Sequence, residues 1–118
     1  MGRLTTHVLD TANGRPAAEV SIELWRVGTD DDRVLLHTLH TNGDGRTESP
    51  LLEADEMVAG IYEVVFCVGA YFAGIGGFTG APPFLDRVPV RFGIADPDAH
   101  YHVPLLVSPW AYSTYRGS

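Results

Sequence analysis

The sequence predicts an all-β fold, an antiparallel β-sandwich of seven or eight strands with one short helix. Eight prolines and thirteen glycines divide the 118 residues into short runs, a spacing typical of the strands and turns of sandwiches. Apolar and polar residues alternate within most of these runs, as in strands that have one face in the core. No linker, repeat or low-complexity tract interrupts the pattern, so residues 1–118 are expected to form one domain.

The first half of the chain contains three predicted strands separated by turns. LTTHVLD alternates from its first residue, and ANGRPA then indicates a turn because it contains an Asn-Gly pair and Pro16. In AEVSIELWRV, the residues Val20, Ile22 and Leu24 share one face of the second strand. GTDDD is a solvated loop, RVLLHTLHT is the third strand, and NGDGR is a turn-rich link.

The second half contains the helix and three more clear strands. After the acidic link LLEADEMVAG and the strand GIYEVVFCV, the stretch GAYFAGIGG predicts the helix, which its own glycines end. GFTGAPPFLD is a loop, and RVPVRFGIA and HYHVPLLV are strands. The ending SPWAYSTYRGS carries aromatic residues almost to the carboxylate. It is expected to be a last strand or part of a site, anchored by Trp110, Tyr112 and Tyr115.

Charge and cysteine content narrow the class of protein. The formal net charge is −7, which disfavours general binding to nucleic acid or to an anionic membrane. No stretch approaches the length of a membrane span, and MGRLTTHVLD enters patterned sequence without the apolar region of a signal peptide. The single cysteine, Cys67, excludes an internal disulfide framework and fits a reducing compartment. A cytoplasmic protein is therefore expected.

His100 and His102 are the first candidates for chemistry, since imidazole exchanges protons near neutral pH. They flank Tyr101 in a predicted strand, so both rings project from one face and need partners there. Three interpretations stay open: an exposed ladder of two histidines, part of a polar site, or, together with His7, a three-histidine zinc site with an open position. Arg46 follows the tight NGDG turn, where the loop backbone can direct it.

Three stretches taken together resemble a known family. LTTHVLDTANGRPA at the start, TNGDGR in the middle and HYHVPLLVSPWAYSTYRGS at the end resemble 5-hydroxyisourate hydrolase, the transthyretin-related enzyme of purine breakdown. The resemblance spans nearly the whole chain, and the final YRGS is its most specific element. Transthyretin shares the sandwich and the SP-x-x-Y-S-T stretch, but differs at the histidines and at the terminal tetrapeptide. The glycine-rich stretch 73–86 is less typical of the family.

The resemblance implies a site through the position of each motif. The catalytic residues of the family fall on His7 of TTHVLD, Arg46 of DGR and His102 of HYHVP. The implied reaction opens a ring amide of 5-hydroxyisourate with water, which needs a base and a donor for the oxyanion but no cofactor and no metal. The implied substrate-binding residues are His7, Arg46, His100, Tyr115, Arg116, Gly117 and Ser118.

The resemblance also implies an assembly, and two other classes of function are weighed against the hydrolase. The family's assembly is a homotetramer, a dimer of dimers, with active sites at the dimer–dimer interface in a central channel. Two other classes are considered: a transthyretin-like carrier of a small apolar ligand, whose channel should hold few titratable groups, and a structural sandwich with dispersed histidines. Convergence of His7, Arg46 and His102 within reach of one small molecule would distinguish the hydrolase from both.

Overall fold

Residues 1–77 and 80–117, which are those that the structure describes, form nine strands, one α-helix and two 3₁₀ turns in a computed structural model of the chain. The helix, α1, is Val68–Gly74, and the 3₁₀ turns are Thr29–Asp31 and Ala54–Glu56. In chain order the strands are β1 (Arg3–Asp10), β2 (Arg15–Pro16), β3 (Ser21–Val27), β4 (Arg33–His40), β5 (Leu52–Glu53), β6 (Gly60–Cys67), β7 (Arg87–Ile94), β8 (His100–Val107) and β9 (Tyr112–Thr114).

Two sheets enclose the core between them, which confirms the predicted sandwich. One sheet has the strand order β2-β1-β8-β9, with β5 paired to the start of β1, and the other has the order β4-β3-β6-β7. Their inner faces contribute to one cluster of buried side chains, in which Leu4, Ile22, Phe66 and Leu105 have no exposed surface. The apolar face of each alternating run is the face that packs inward, because burial of apolar surface drives the association of the sheets.

One strand pairing differs from the antiparallel arrangement that the sequence predicts. β1 and β8 run parallel, in continuous register from Arg3 opposite His100 to Asp10 opposite Val107. The other described strand pairs are antiparallel. The antiparallel expectation comes from strands joined by short turns. β1 and β8 are separated by almost the whole chain, so no local turn sets their relative direction.

Seven of the described strands have three or more residues, which is within the predicted range of seven or eight. The other two, β2 and β5, have two residues each and lie in the predicted turn ANGRPA and the predicted acidic link. Both pair with β1. A strand of two residues is too short to show alternation, so the sequence pattern does not reveal it.

Alternation along β1 and β8 decides which side chains face away from the core. The even-numbered residues of β1 and the odd-numbered residues of β8 are buried. The side chains between them therefore lie on the outer face of this sheet. That face carries Arg3, Thr5, His7 and Leu9 from β1, and His100, His102, Pro104 and Leu106 from β8.

The single predicted helix is confirmed, although it begins one residue before the stretch GAYFAGIGG and ends within it. α1 buries Tyr71 and Phe72 in the core. The chain turns away after α1 where Gly76 has φ +87°, a conformation that glycine adopts without strain. No helix in the described part of the chain is long and apolar enough to cross a membrane. Within the stretch 73–86, Phe78 and Thr79 lie outside the described residues.

Candidate active site

Three side chains on the outer face of β1 and β8 are linked by hydrogen bonds. The Thr5 hydroxyl lies 2.8 Å from Nδ1 of His102 and 3.0 Å from Nε2 of His100. The two imidazole centroids are 6.5 Å apart. The parallel register places Thr5 opposite His102, with His100 two residues away on the same face. The two histidines therefore share one partner, and they are not an unconnected exposed ladder.

His7 lies farther along β1 and is held by the loop that contains Arg46. Its ring Nε2 is 2.8 Å from the backbone carbonyl oxygen of Asp44. Because a carbonyl only accepts, Nε2 carries the proton, and a neutral His7 presents an unprotonated Nδ1. Burial lowers the pKa of His7, and the positive charge of Arg46 lowers it further, against the raising effect of the bond to Asp44. The ring is therefore mainly neutral at pH 7.

A tight loop places Arg46 next to His7. The Asn42 N–H donates to the Arg46 carbonyl at 2.6 Å, and the Gly45 carbonyl accepts from the Val8 N–H at 2.8 Å, which ties the loop to β1. Gly45 has φ +76°, and a Cβ there would lie 2.4 Å from the Val8 carbonyl oxygen. Only glycine fits this close approach. The NGDG turn thereby brings Arg46 to the outer face of β1.

Arg46, His100 and His102 line one open cavity of about 390 Å³, a volume that suits a small polar molecule. His7 does not line the cavity, but it is near enough to Arg46 and His102 for the charges of these groups to interact. No salt bridge joins Arg46 to a carboxylate of the described residues, so its guanidinium can meet a ligand. The other lining residues are Arg3, Thr5, Thr6, Thr47, Glu48, Ser49 and Pro50.

His102 is the half-buried member of the histidine pair. Burial lowers its pKa, and the nearby positive charge of Arg46 and the charged forms of His100 and His7 lower the pKa further. Thr5 occupies Nδ1 of the ring, so Nε2 is the nitrogen left for a ligand. His102 therefore combines a neutral state at pH 7 with a place in the cavity wall, which is the state that a general base requires.

The tail returns to β8 and packs against His102. After β9, an isolated bridge joins Gly117 to His102, and the Gly117 N–H donates to the His102 carbonyl at 2.7 Å. A Cβ at residue 117 would lie 2.7 Å from Cδ2 of His102. Glycine therefore lets the tail backbone contact the ring directly. Among the described tail residues, Gly117 is the one that the structure brings to the histidines.

Tyr115 and Arg116 do not line the histidine cavity of their own chain. The guanidinium carbon of Arg116 lies 4.1 Å from the ring centroid of Tyr101, a residue of the inner face. Both tail residues line a second cavity of about 350 Å³, together with residues of β7 and β8. The fourth tail residue of the predicted site, Ser118, lies outside the described residues.

The predicted anchoring of the aromatic tail residues is wrong for the single chain. Trp110, Tyr112 and Tyr115 are 61%, 45% and 59% exposed. Trp110 pairs with Phe84, which is also exposed, at 6.1 Å between ring centroids. These rings lie on or beside the edge strand β9, beyond the core, and clusters of exposed apolar groups mark interaction surfaces.

The geometry does not support a three-histidine zinc site. The described residues contain no group of three or more His, Cys, Asp or Glu side chains that could hold a metal ion. His100 and His102 share a hydroxyl, and Nε2 of His7 bonds a carbonyl, so these nitrogens are directed to protein partners. The remaining histidines, His37 and His40, lie on β4 in the other sheet.

Thr5 and Arg3 are cavity residues that reasoning from the sequence misses. Both share the outward face of β1 with His7 by simple alternation, which is the signal that points to them. A threonine on a strand is common, so this signal becomes specific only when the register with β8 is known.

Known proteins match this chain over nearly its whole length, and those with solved structures share its fold. A model described as the HIUase/Transthyretin family matches residues 4–117. The 5-hydroxyisourate hydrolase 2 of Rhizobium meliloti (strain 1021) is 58% identical over 117 residues, which are 99% of this chain and 97% of that protein. The structure of the Klebsiella pneumoniae 5-hydroxyisourate hydrolase has a TM-score of 0.82 and 36% identity, with 100% of both chains covered.

A second solved structure is similar over only part of its own length. The crystal structure of (S)-allantoin synthase has a TM-score of 0.93 and 54% identity over 99% of this chain. This chain spans 44% of that larger chain. With the family model matched from β1 to the tail and the sandwich in agreement, the chain belongs to the HIUase/Transthyretin family.

Proposed function

We propose that this protein hydrolyses 5-hydroxyisourate to 2-oxo-4-hydroxy-4-carboxy-5-ureidoimidazoline, a step of urate catabolism. The observation that carries the proposal is the convergence of Arg46, His102 and His7 on one face of one sheet, beside an open cavity. A structural sandwich has no need to gather these groups. Full-length relatives named 5-hydroxyisourate hydrolase add independent support. The protein is then a cyclic amide hydrolase that acts on a C–N bond.

The direct test generates the unstable substrate in place. Urate oxidase converts urate to 5-hydroxyisourate, and the decay of its ultraviolet absorbance is followed with and without the protein. We expect faster decay with the native protein than with buffer or with the same protein after heat denaturation. Equal decay rates in all three samples would refute the proposed hydrolysis.

The reaction adds water across a ring amide. The water oxygen bonds to the carbonyl carbon, the C–N bond breaks, and the ring nitrogen gains the proton that the water loses. A neutral imidazole can accept that proton at pH 7. His102 offers Nε2 and His7 offers Nδ1, and the imidazolium that forms can return the proton to the leaving nitrogen. We assign both rings to water activation and proton return, without an order between them.

Arg46 is assigned to the substrate carbonyl. Attack by water places negative charge on the carbonyl oxygen, and a positioned guanidinium stabilises that charge. The loop from Asn42 to Arg46 is closed by backbone hydrogen bonds and tied to β1, so the charge is presented from a fixed base. The same positive charge helps to keep His7 and His102 neutral, which links the two functions of Arg46.

We also propose a homotetramer, a dimer of dimers, with the active sites at the dimer–dimer interface. The outer face that carries the histidines also carries the half-exposed Leu9 and Leu106, and the tail beside it exposes aromatic rings. Tyr115 and Arg116, which do not line the histidine cavity of their own chain, are then substrate-binding residues that a neighbouring subunit brings to that cavity. Ser118 is also proposed as a substrate-binding residue. Sedimentation equilibrium should give four times the mass of one chain, and a monomer would refute the assembly.

The alternative function, a transthyretin-like carrier without catalysis, is not favoured. A carrier of an apolar ligand needs a mainly apolar channel. The cavity here is lined by Arg3, Arg46, Glu48 and two imidazoles. A cavity with so many charged and titratable groups suits a polar reacting molecule.

We propose that residues 1–118 act as one domain in the cytoplasm. Cys67 is a free cysteine, and a chain with one unpaired cysteine suits a reducing compartment. Cell fractionation with an antibody to the native protein tests this location.

Gly117→Ala should lower kcat/KM by about 10- to 10²-fold, because a small displacement of a catalytic group has an effect of this size. The added methyl would lie 2.7 Å from the His102 ring, which must move. Gly74→Ala is the matched control, since a Cβ there meets nothing within 4 Å. Full activity of the Gly117 variant, with circular dichroism unchanged in both, would remove the tail contact from the site.

The pH profile should show a single loss of activity on the acidic side. The folded pKa values of His7 and His102 are lowered below the ordinary 6.5, so the neutral bases persist at pH 7 and are lost only as the pH falls below about 6.5. kcat/KM should therefore be level from pH 8 to near 6.5 and fall below it. A decline that begins well above pH 6.5 would contradict neutral histidines at pH 7.

Removal of metal should leave the rate unchanged. Protein dialysed against a strong chelator and then against metal-free buffer is compared with untreated protein in the absorbance assay. A loss of activity that added zinc restores would contradict the metal-free scheme and favour zinc hydrolysis. Inhibition by added zinc would instead agree with a metal that competes for the histidine nitrogens.

A further inference from the structure

The Thr5 hydroxyl is the shared partner of two imidazoles, and it has a single proton. It lies 2.8 Å from Nδ1 of His102 and 3.0 Å from Nε2 of His100. A hydroxyl donates one hydrogen bond and accepts up to two, whereas each neutral imidazole has one N–H and one lone pair. Thr5 can therefore donate to only one of the two rings. The protonation patterns of His100 and His102 are coupled through this one oxygen.

Three arrangements are possible when both rings are neutral and both bonds are made. In the first, Thr5 donates to Nδ1 of His102, whose proton then lies on Nε2, and His100 donates to Thr5. In the second, Thr5 donates to Nε2 of His100, and Nδ1–H of His102 donates to Thr5. In the third, both rings donate to Thr5, whose own proton then bonds neither ring. The second and third arrangements both leave Nε2 of His102 with a lone pair, and only the second also uses the Thr5 proton. Nε2 of His102 makes no hydrogen bond to a described residue.

We propose that Thr5 is a positioning residue, which, oriented by His100, holds His102 with its proton on Nδ1 and its Nε2 lone pair directed to the substrate water. The chain His100–Thr5–His102 then acts as a base supported by two groups behind it, the arrangement by which hydrolytic triads fix a histidine tautomer. The choice of this arrangement and the role in turnover rest on the proposed hydrolysis, whereas the two contacts of the Thr5 hydroxyl do not.

The second arrangement also survives the proton transfer without rearrangement. When Nε2 of His102 takes the proton of water, the Nδ1–H bond to Thr5 stays as it was, and Thr5 still donates to His100. A site that needs no reorganisation during the reaction keeps its electrostatic advantage. In the first arrangement, Nε2 of His102 already holds a proton and the lone pair is occupied by Thr5, so His102 cannot act as a base.

The test separates the hydroxyl from the shape of the side chain. Thr5→Val keeps the branched shape but removes the hydroxyl, and Thr5→Ser keeps the hydroxyl. Thr38→Val, at an exposed position of β4 in the other sheet, is the matched control. We expect kcat to fall by about 10- to 10²-fold in Thr5→Val, with KM little changed, and to stay within about threefold of wild type in Thr5→Ser and Thr38→Val. Equal kcat in Thr5→Val and wild type would overturn the role in turnover.

A second measurement needs no turnover. Long-range ¹H–¹⁵N correlation spectra of protein labelled with ¹⁵N-histidine report which nitrogen of each ring is protonated, and single His→Gln variants assign the signals. Wild type and Thr5→Ser should show His102 as the Nδ1–H tautomer, and Thr5→Val should show it shifted toward Nε2–H. A wild-type His102 protonated on Nε2, or the same tautomer in all variants, would overturn the inference.

The two readouts also separate this inference from the proposed function. If the protein does not hydrolyse 5-hydroxyisourate but Thr5→Val shifts the His102 tautomer, the proposed reaction fails and the hydrogen-bond assignment stands. If hydrolysis is present and neither readout responds to Thr5→Val, the inference alone fails. Should Thr5→Val not fold, the wild-type tautomers of His100 and His102 together still decide among the three arrangements.

Discussion

Replacement of His102 by alanine is expected to lower kcat/KM by about 10²- to 10⁴-fold, the range for loss of a general acid–base group. His102 lines the cavity, its ring is hydrogen-bonded to Thr5, and its backbone carbonyl accepts from Gly117. Alanine removes the nitrogen that accepts the proton of water, and no other described ring occupies that place. His7→Ala should cost at least about 10²-fold for the same reason.

The measurement is the absorbance assay with in situ substrate, together with circular dichroism and size-exclusion chromatography for folding and assembly. His40→Ala is the matched control, because this exposed histidine lies on β4 in the other sheet. Its activity should equal that of the wild type. A folded His102→Ala variant with activity close to that of His40→Ala would remove His102 from the mechanism.

Arg46→Lys is expected to retain less than about a tenth of the wild-type kcat/KM, although it keeps the charge. A guanidinium presents a planar fork of donors that can bind two oxygen atoms in fixed directions, and an ammonium does not. The positive charge of Arg46 also contributes to the lowered pKa values of His7 and His102. A lysine should therefore preserve the acidic limb of the pH profile while the rate falls.

Arg46 has two proposed roles, to present directed hydrogen-bond donors and to supply a positive charge, and a second variant separates them. Arg46→Gln removes the charge, so its residual activity should decline at a higher pH than that of the wild type, because both histidine pKa values rise toward their ordinary range. Arg26→Lys, in the other sheet, controls for a general effect of the substitution. A lysine variant with more than about half of the wild-type activity would show that charge alone suffices.

The individual strands, the shared face of His100 and His102, and the loop position of Arg46 could be predicted from local sequence patterns. Alternation along HYHVPLLV places His100 and His102 on one face, and that prediction is confirmed by the burial pattern of β8. The NGDG turn predicts that the loop backbone can direct Arg46, and the backbone of this loop is tied to β1 where Gly45 meets Val8. Both inferences depend on residues within a few positions of each other.

The parts that could not be predicted depend on pairs of residues that are distant in sequence. The bond from Thr5 to His102 requires β1 and β8 to pair in parallel with one particular register, and no turn or spacing encodes that choice. The direction of Arg116 depends on the position of Tyr101 beneath it. The exposure of Tyr112 depends on β9 being an edge strand, which only the order of strands in the sheet decides.

The parallel pairing of β1 with β8 has a consequence for how the protein is made. Thr5 and His102 are 97 positions apart, so the two halves of the site meet only when the first and the last long strands of the chain associate. Contacts of such high sequence separation form slowly, because the loop-closure entropy is lost before the contacts form. On the ribosome, β1 can pair early with β2 and β5, but its edge toward β8 must wait for nearly complete synthesis. An emerging chain therefore exposes the edge of β1, and catalytic competence arrives only with the final step of folding.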